Sequence, residues 1–166
     1  MTYTTPATPT ANTNLKTPVA ATTAQIRRLS VDDRLALLWY VYTDMGQFVT
    51  PAAPGAARLQ LAQGLLEQFE RMSYQEQLQA MRDLDRNANT PICRAYGILS
   101  ANTQLAFWYQ LAQWMRQGKV VPMPADHQTS AEVRSARYAI RNLEFGQQLT
   151  VLRNAVATMG NDPLVQ

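Results

Sequence analysis

The apolar residues of this chain recur at helical spacing in a series of runs divided by capping signals. The densest run is Leu105–Met115, LAFWYQLAQWM. Leu105, Trp108, Ala112 and Met115 fall on one stripe (i, i+3, i+7, i+10), and Phe107, Leu111 and Trp114 on another (i, i+4, i+7). A helix that is apolar on two faces has to be covered on both, so this one is expected to lie inside the molecule. Its aromatic load exceeds the needs of an aliphatic core, because Trp and Tyr each carry a polar handle that wants a partner. Two readings follow: an aromatic-rich core helix, or flat rings lining a slot for a flat, apolar ligand.

Residues 1–21 are mostly Thr, Pro, Ala and Asn, with one Lys and no acid. They cannot bury enough to repay ordering, so a mobile or surface-draped tail is expected, followed by one helical domain over 22–166. Thr22 or Thr23 is a candidate cap for a short helix through Arg28. Ser30 opens the next, with Asp32 and Asp33 in its first turn, where the helix dipole favours acid. Its apolar stripe is Leu35, Leu38, Trp39, Tyr42 and Met45, and Gly46 ends it. After the FVTPAAPGAA loop, Pro54 or Gly55 opens a helix through Leu59, Leu61, Ala62, Leu65, Leu66 and Phe69.

Ser73-Tyr-Gln-Glu76 is a capping box for a helix carrying Leu78, Met81 and Leu84. Thr90-Pro91 is a cap followed by an N1 proline, starting a short helix through Ile98. Ser100 caps the central helix and Gly118 terminates it. Thr129-Ser-Ala-Glu132 reads as another capping box, opening a helix with Val133, Ala136, Ile140 and Leu143. Gly146 separates it from a last helix bearing Leu149, Leu152, Val156 and Met159, ended by Gly160. No stretch alternates with the period of two that a strand requires, and no long repeat is evident. The expected fold is all-α, about eight helices with short connections.

At 166 residues the chain is about one domain. Its formal charge of +3, almost all of the base Arg, falls short of a clustered nucleic-acid patch, so no nucleic-acid partner is expected. Cys93 is the single cysteine, which rules out an internal disulfide. The longest apolar run, Leu35–Tyr42, is too short for a membrane span, and the N-terminus lacks a signal-peptide pattern. These features suggest a soluble, cytoplasmic protein without integral membrane insertion.

Catalytic chemistry is sparse. One His and one Cys cannot assemble a zinc or iron site. A Ser or Cys nucleophile would need His127 as its base, and His127 lies in a loop with no obvious orienting acid. A carboxylate pair stays open, although most acids sit in first turns, where capping explains them. No phosphate-binding glycine loop is present. Lys119 follows a helix-ending glycine, a poor place for a buried Schiff base. The reading is therefore not an enzyme, and a bound chromophore would be held without a covalent bond. The methionines suit an adaptable partner groove, but Met45, Met81, Met115 and Met159 occupy core stripe positions.

Taken together, LALLWYVYTDMG (35–46), PAAPGAARLQLA (51–62), NTPICRAYG (89–97), LAFWYQLAQWM (105–115) and GQQLTVLRNAVATMG (146–160) resemble the N-terminal helical domain of orange carotenoid proteins. The motifs stand in order and at family spacing from about Arg28 to Gly160. With no C-terminal domain following, the chain is most similar to the stand-alone helical carotenoid proteins of cyanobacteria. The resemblance implies two interleaved helix bundles with a central ligand tunnel holding a keto-carotenoid of the canthaxanthin, echinenone or 3'-hydroxyechinenone type.

The aromatic pair that pinches the pigment's ring in that family matches Tyr42 and Trp108. Other lining positions fall on Leu35, Leu38, Trp39, Met81, Leu84, Leu105, Tyr109, Ala112, Met115, Met123, Pro124, Leu149, Thr150 and Val156. Ala112 stands where glycine is common, and His127 where tyrosine is typical at the tunnel's end. The loop Val120–Pro124, apolar for its exposure, reads as a lid near one mouth.

The implied role is photoprotection by singlet-oxygen quenching, with the pigment expected to sit permanently in the red-shifted form. Phycobilisome quenching would draw on Asn102 and Arg153, which match positions facing the second domain in two-domain relatives. Here both are either open to a partner in trans (a phycobilisome or a separate C-terminal-domain-like carotenoid donor) or simply solvated helix-end residues. Association with phycobilisomes or the thylakoid would follow from the former. The rivals are a carotenoid carrier or storage protein, and a helical interaction module with no pigment.

Overall fold

Most helix starts are set by a local donor–acceptor exchange between a cap side chain and the N–H three positions on. The computed structural model describes residues 17–45 and 59–164. The first helix, α1 (Pro18–Arg27), begins inside the stretch read as tail: the Thr17 side chain accepts from Ala20 N–H at 3.2 Å, with Pro18 in the first turn. Thr22 and Thr23, expected as caps, are instead buried within it. The Thr17-Pro18 pair carries the same cap-plus-proline signal as Thr90-Pro91, and it overrides the polar composition around it. The rest of the expected tail, Gly46, and the start expected at Pro54 or Gly55 lie outside the described residues.

Ser30 Oγ accepts from Asp33 N–H (3.2 Å) to open α2 (Val31–Met45). A 3-10 turn (Gln60–Ala62) leads into α3 (Gln63–Arg71). That turn corrects the reading of Leu61, which is 70% exposed, since three residues per turn rotate it off the apolar face. Both halves of the Ser73–Glu76 capping box form at the head of α4 (Tyr74–Asp85), at 3.2 and 3.3 Å. Thr90 caps α5 (Pro91–Gly97), and Ser100 caps α6 (Ala101–Gln117), which Gly118 ends at φ 78°.

Two further boundaries differ from expectation. Ser130, not Thr129, caps α7 (Ala131–Arg141), because the Thr129 hydroxyl is engaged with Tyr40 Oη at 2.8 Å. The last helix, α8 (Phe145–Ala157), is capped by Glu144 with Gln147 in return, so Gly146 lies in its first turn and separates nothing.

Helices α1, α2, α7 and α8 pack as one bundle, and α3 to α6 as another inserted between its halves. The seam is made where α2 meets α4 and α6, and where α6 meets α8. The inserted bundle centres on an edge-to-face cluster: Phe107 lies 5.6 Å from Phe69, 5.5 Å from Tyr96 and 5.8 Å from Trp108, centroid to centroid. Across the seam Arg34 holds Asp85 at 2.7 Å, with Asp85 3% exposed, and Arg82 holds Asp32 at 2.9 Å. Within the outer bundle Asp44 takes Arg137 and Arg141 at 2.7 and 3.0 Å.

Behind α8 the chain is clasped back onto the inserted bundle. Gly160 N–H donates to Leu84 C=O (2.8 Å) and Asn161 N–H to Cys93 C=O (2.9 Å). The described residues contain no strand, and no helix among them is long and apolar enough to cross a membrane.

Candidate functional site

Where α2, α4 and α6 meet, the seam opens into a cavity of about 230 Å³, bordered on its fourth side by the loop between α6 and α7. Helix α2 contributes Leu35, Leu38, Trp39 and Tyr42, α4 contributes Met81, and α6 contributes Trp108, Ala112 and Met115. Met123, Pro124 and His127 come from the loop. The structure thus brings these sequence-predicted residues around one space. It adds Asp32, Ala36, Leu78, Arg82, Val121 and Pro122. Asp32 and Arg82 had no signal in the sequence, since they meet across fifty positions of chain.

The two aromatics at the inner end present apolar faces because their polar handles are tied elsewhere. Tyr42 is 3% exposed and its hydroxyl donates to Leu105 C=O at 2.8 Å. Burial pushes its phenol well above the ordinary value, with nearby Tyr96 adding to the effect. Trp108 Nε1–H donates to Tyr96 Oη (3.0 Å), whose own proton goes to Val156 C=O (2.6 Å). Burial likewise raises the Tyr96 phenol, and the Trp108 hydrogen bond only partly opposes it. This relay joins α5, α6 and α8 and fixes the plane of the indole. Tyr96 and its role were not visible in the sequence pattern.

The loop is held by a residue the sequence reading missed. Gln77, 1% exposed, accepts from Val121 N–H at 2.8 Å and donates to Lys119 C=O at 3.2 Å. The same amide donates to Phe69 C=O at 2.8 Å, so one side chain ties the lid's first residues to the end of α3.

Leu84, Leu105, Tyr109, Leu149, Thr150 and Val156 do not border this cavity. Leu84 and Val156 are fully buried, Leu105 and Tyr109 pack beyond Tyr42, and Leu149 and Thr150 are half-buried on α8. The Tyr42 and Tyr109 rings stand 6.4 Å apart at 56° and occupy the ground between. Tyr42 and Trp108 stand at the inner end of this cavity. Apolar walls that can touch gain dispersion contacts by closing. A second cavity of about 250 Å³ lies on the far side of Leu38, among α1, α2, α7 and α8. Asn102 and Arg153, far apart in sequence, are brought together: Arg153 Nε donates to Asn102 Oδ1 at 3.1 Å. Among the described residues no group of His, Cys, Asp and Glu is placed to hold a metal ion.

Two helix bundles with an aromatic- and methionine-walled chamber at their seam define a helical binding protein for a flat, apolar molecule. Residues 12–162 match the family model "Orange carotenoid protein, N-terminal", and the chain belongs to that family. It is 57% identical over 146 residues to an orange carotenoid-binding domain-containing protein of Nostoc sp. (strain PCC 7120), covering 88% of this chain and 85% of that one. It is 48% identical to the orange carotenoid-binding protein of Synechocystis sp., over 90% of this chain but 47% of that protein, so it spans about half of it. Among solved structures, the Anabaena (Nostoc) sp. red carotenoid protein binding canthaxanthin superposes at a TM-score of 0.77 with 36% identity. That match covers 88% of this chain and 100% of the other. The Anabaena orange carotenoid protein binding canthaxanthin gives 0.79 at 46% identity, over 87% of this chain and 46% of that one.

Proposed function

We propose that this chain binds a keto-carotenoid, of the canthaxanthin or echinenone type, without a covalent bond and serves photoprotection by quenching singlet oxygen. The observation that carries the reading is the chamber at the bundle seam, floored by Met81 and Met115 and ended by Tyr42 and Trp108. Its family membership supports the same conclusion, as does the canthaxanthin bound by two of its structural neighbours.

Hydrophobic burial suffices as the holding force. At about 0.8 kcal/mol per buried carbon unit, a long polyene exceeds any affinity a protein is observed to reach, even after ordering costs. The polyene continues past Tyr42 and Trp108 toward Leu105, Tyr109, Leu149 and Thr150, which part to admit it. Excitation taken from singlet oxygen is lost as heat, while the protein supplies solubility, orientation and a dry surround.

The test is expression in carotenoid-producing cells, purification, and extraction of the pigment. A coloured holoprotein yielding a keto-carotenoid is expected. A colourless protein from such cells would refute the reading and leave a helical interaction module. A second role, docking to a phycobilisome, is favoured by the exposed Asn102–Arg153 pair at the edge of the seam. Arg153→Leu would then abolish any quenching of phycobilisome fluorescence while leaving the bound pigment in place. Unchanged fluorescence with wild-type holoprotein would remove that role and leave scavenging, or carriage from a donor protein.

A further inference from the structure

The second cavity, of about 250 Å³, is walled off from the chamber at the seam by Leu38, which borders both. Along α8 it runs from Gln148 to Met159, about 16 Å at the rise of a helix. Its two ends differ in chemistry. Toward Gln148 the walls are Val41, Ile140 and Val151, with Leu37 and Leu152 beside them, none more than 4% exposed. At the other end the polar residues gather. Asn87 Nδ2 donates to the carbonyls of Thr158 (2.5 Å) and Gly160 (2.8 Å), and Arg34 Nη1 donates to Arg27 C=O at 3.1 Å.

Most polar groups on these walls are spent on the protein itself. Arg34 and Asp85 neutralise one another through contacts of 2.7 to 3.1 Å, with Asp85 3% exposed. Gln148 Nε2 donates to Ile140 C=O and the Thr158 hydroxyl to Ala155 C=O, each at 2.9 Å. Arg27 is the exception. It is the exposed last residue of α1 and enters none of the ion pairs among the described residues. The cavity is therefore an apolar pit with one uncompensated positive charge at its mouth.

We infer that this cavity is a second ligand site, separate from the chamber at the seam, that takes a medium-chain fatty carboxylate. The alkyl chain lies along α8 toward Val151 and Ile140, and the carboxylate stays at the mouth beside Arg27. The volume lies below the range that holds a drug-sized ligand, which leaves no room for a diacyl lipid or a second polyene. A single alkyl chain needs no polar partner along its length, and the interior offers none. Each methylene it buries corresponds to about fourfold in affinity. The exposed guanidinium adds about threefold and fixes which end of the chain faces water. The site stands whether or not the seam chamber holds a carotenoid.

The experiment titrates sodium decanoate, below its micellar range, into the full chain by calorimetry and locates it by methyl-labelled NMR. Saturable one-site binding is expected, with shifts at the Val41, Ile140 and Val151 methyls and none at Met81 and Met115. Octanoate should bind about tenfold more weakly and decanol about threefold more weakly. Arg27→Leu, at an exposed position, should remove the difference between decanoate and decanol. Ala155→Leu, whose added carbons enter the cavity, should abolish binding with the circular dichroism of the fold unchanged. Absence of saturable binding overturns the inference. So do shifts at Met81 and Met115 in place of Val151, which would put the chain in the seam chamber, and wild-type protein that binds decanol as tightly as decanoate.

Discussion

Replacing Gln77 by leucine tests whether one buried amide holds the lid against the bundle. Leucine is close in volume, so the cavity contribution is small and the cost is that of stranded polar groups. In the native protein the Gln77 carbonyl accepts from Val121 N–H at 2.8 Å, and its NH2 serves the carbonyls of Phe69 (2.8 Å), Lys119 (3.2 Å) and, more weakly, Met72 (3.3 Å). Phe69 C=O retains the Met72 N–H at 3.1 Å, so the groups left without a partner are chiefly Val121 N–H and Lys119 C=O. Each stranded buried group costs about 1–3 kcal/mol, and Val121 is only half-buried, so the total should be about 2–4 kcal/mol. For a domain of this length that lowers Tm by about 5–15 °C. Thermal circular dichroism measures the shift, and hydrogen exchange at the Val121 amide localises it. Gln79→Leu is the control, since Gln79 is exposed and bonded only to Asp83 one turn on. If Gln77→Leu melts within about 2 °C of wild type with Val121 still protected, the lid is anchored by something else.

Trp108→Ser in the apoprotein should cost about 3–5 kcal/mol as a large-to-small core change. In the holoprotein it should also weaken pigment retention or shift its colour, read by absorbance after gel filtration. Gly97→Ala should destabilise by about 1–3 kcal/mol, because a Cβ there would stand 2.4 Å from Asn161 O in the clasp. Gly146→Ala, with nothing within 4 Å, should be neutral or stabilise slightly in the same denaturant titration. Burial raises the phenols of Tyr42 and Tyr96 above the ordinary tyrosine value of about 10. The folded state therefore keeps their protons at pH values where the unfolded chain loses them. Their contribution to stability is complete below pH 10 and is lost as pH climbs above it. Ultraviolet difference titration should show these two ionising only with unfolding, and a single step near pH 10 for all seven tyrosines would contradict the burial argument.

What was legible in the sequence was whatever a helix settles within four residues. Ser73, Thr90 and Ser100 cap where the spacing says they should, because each exchange is between a side chain and the N–H three positions on. The choice between Thr129 and Ser130 was not local: Tyr40, far back on α2, took the Thr129 hydroxyl. Apolar stripes told which helix faces turn inward but not where two inward faces fail to meet. Leu111 is fully buried and Met115 borders the chamber, one turn apart on the same helix. A buried glutamine beside Leu78 gave no hint of its role, since the lid residues it holds lie 42 and 44 positions away. The lining expected on α8 rested on the family resemblance, and the packing of Tyr42 against Tyr109 separates it from the chamber.

The position of the chamber follows from how the chain divides its cores. Phe69, Phe107, Tyr96 and Leu111 fill the inserted bundle, each fully buried, while Leu37, Val151 and Leu152 fill the outer one at no more than 2% exposure. The bundles meet most extensively where α6 packs on α8, and the chamber lies beside that contact, where α2 faces α4 and α6. Polar groups tie the seam around the chamber: among the described residues no buried side-chain nitrogen or oxygen lacks a partner, and Arg34–Asp85, Tyr42 to Leu105 C=O and Tyr96 to Val156 C=O all cross it. Tyr42 and Trp108 send their hydrogen bonds into backbone or into Tyr96, leaving apolar faces toward the chamber. Parting the seam for a flat molecule then exchanges one set of apolar contacts for another, which dispersion and solvent exclusion favour. A slot built inside either bundle would instead carve a cavity into a finished core, at about 24 cal/mol for each Å³ left unfilled.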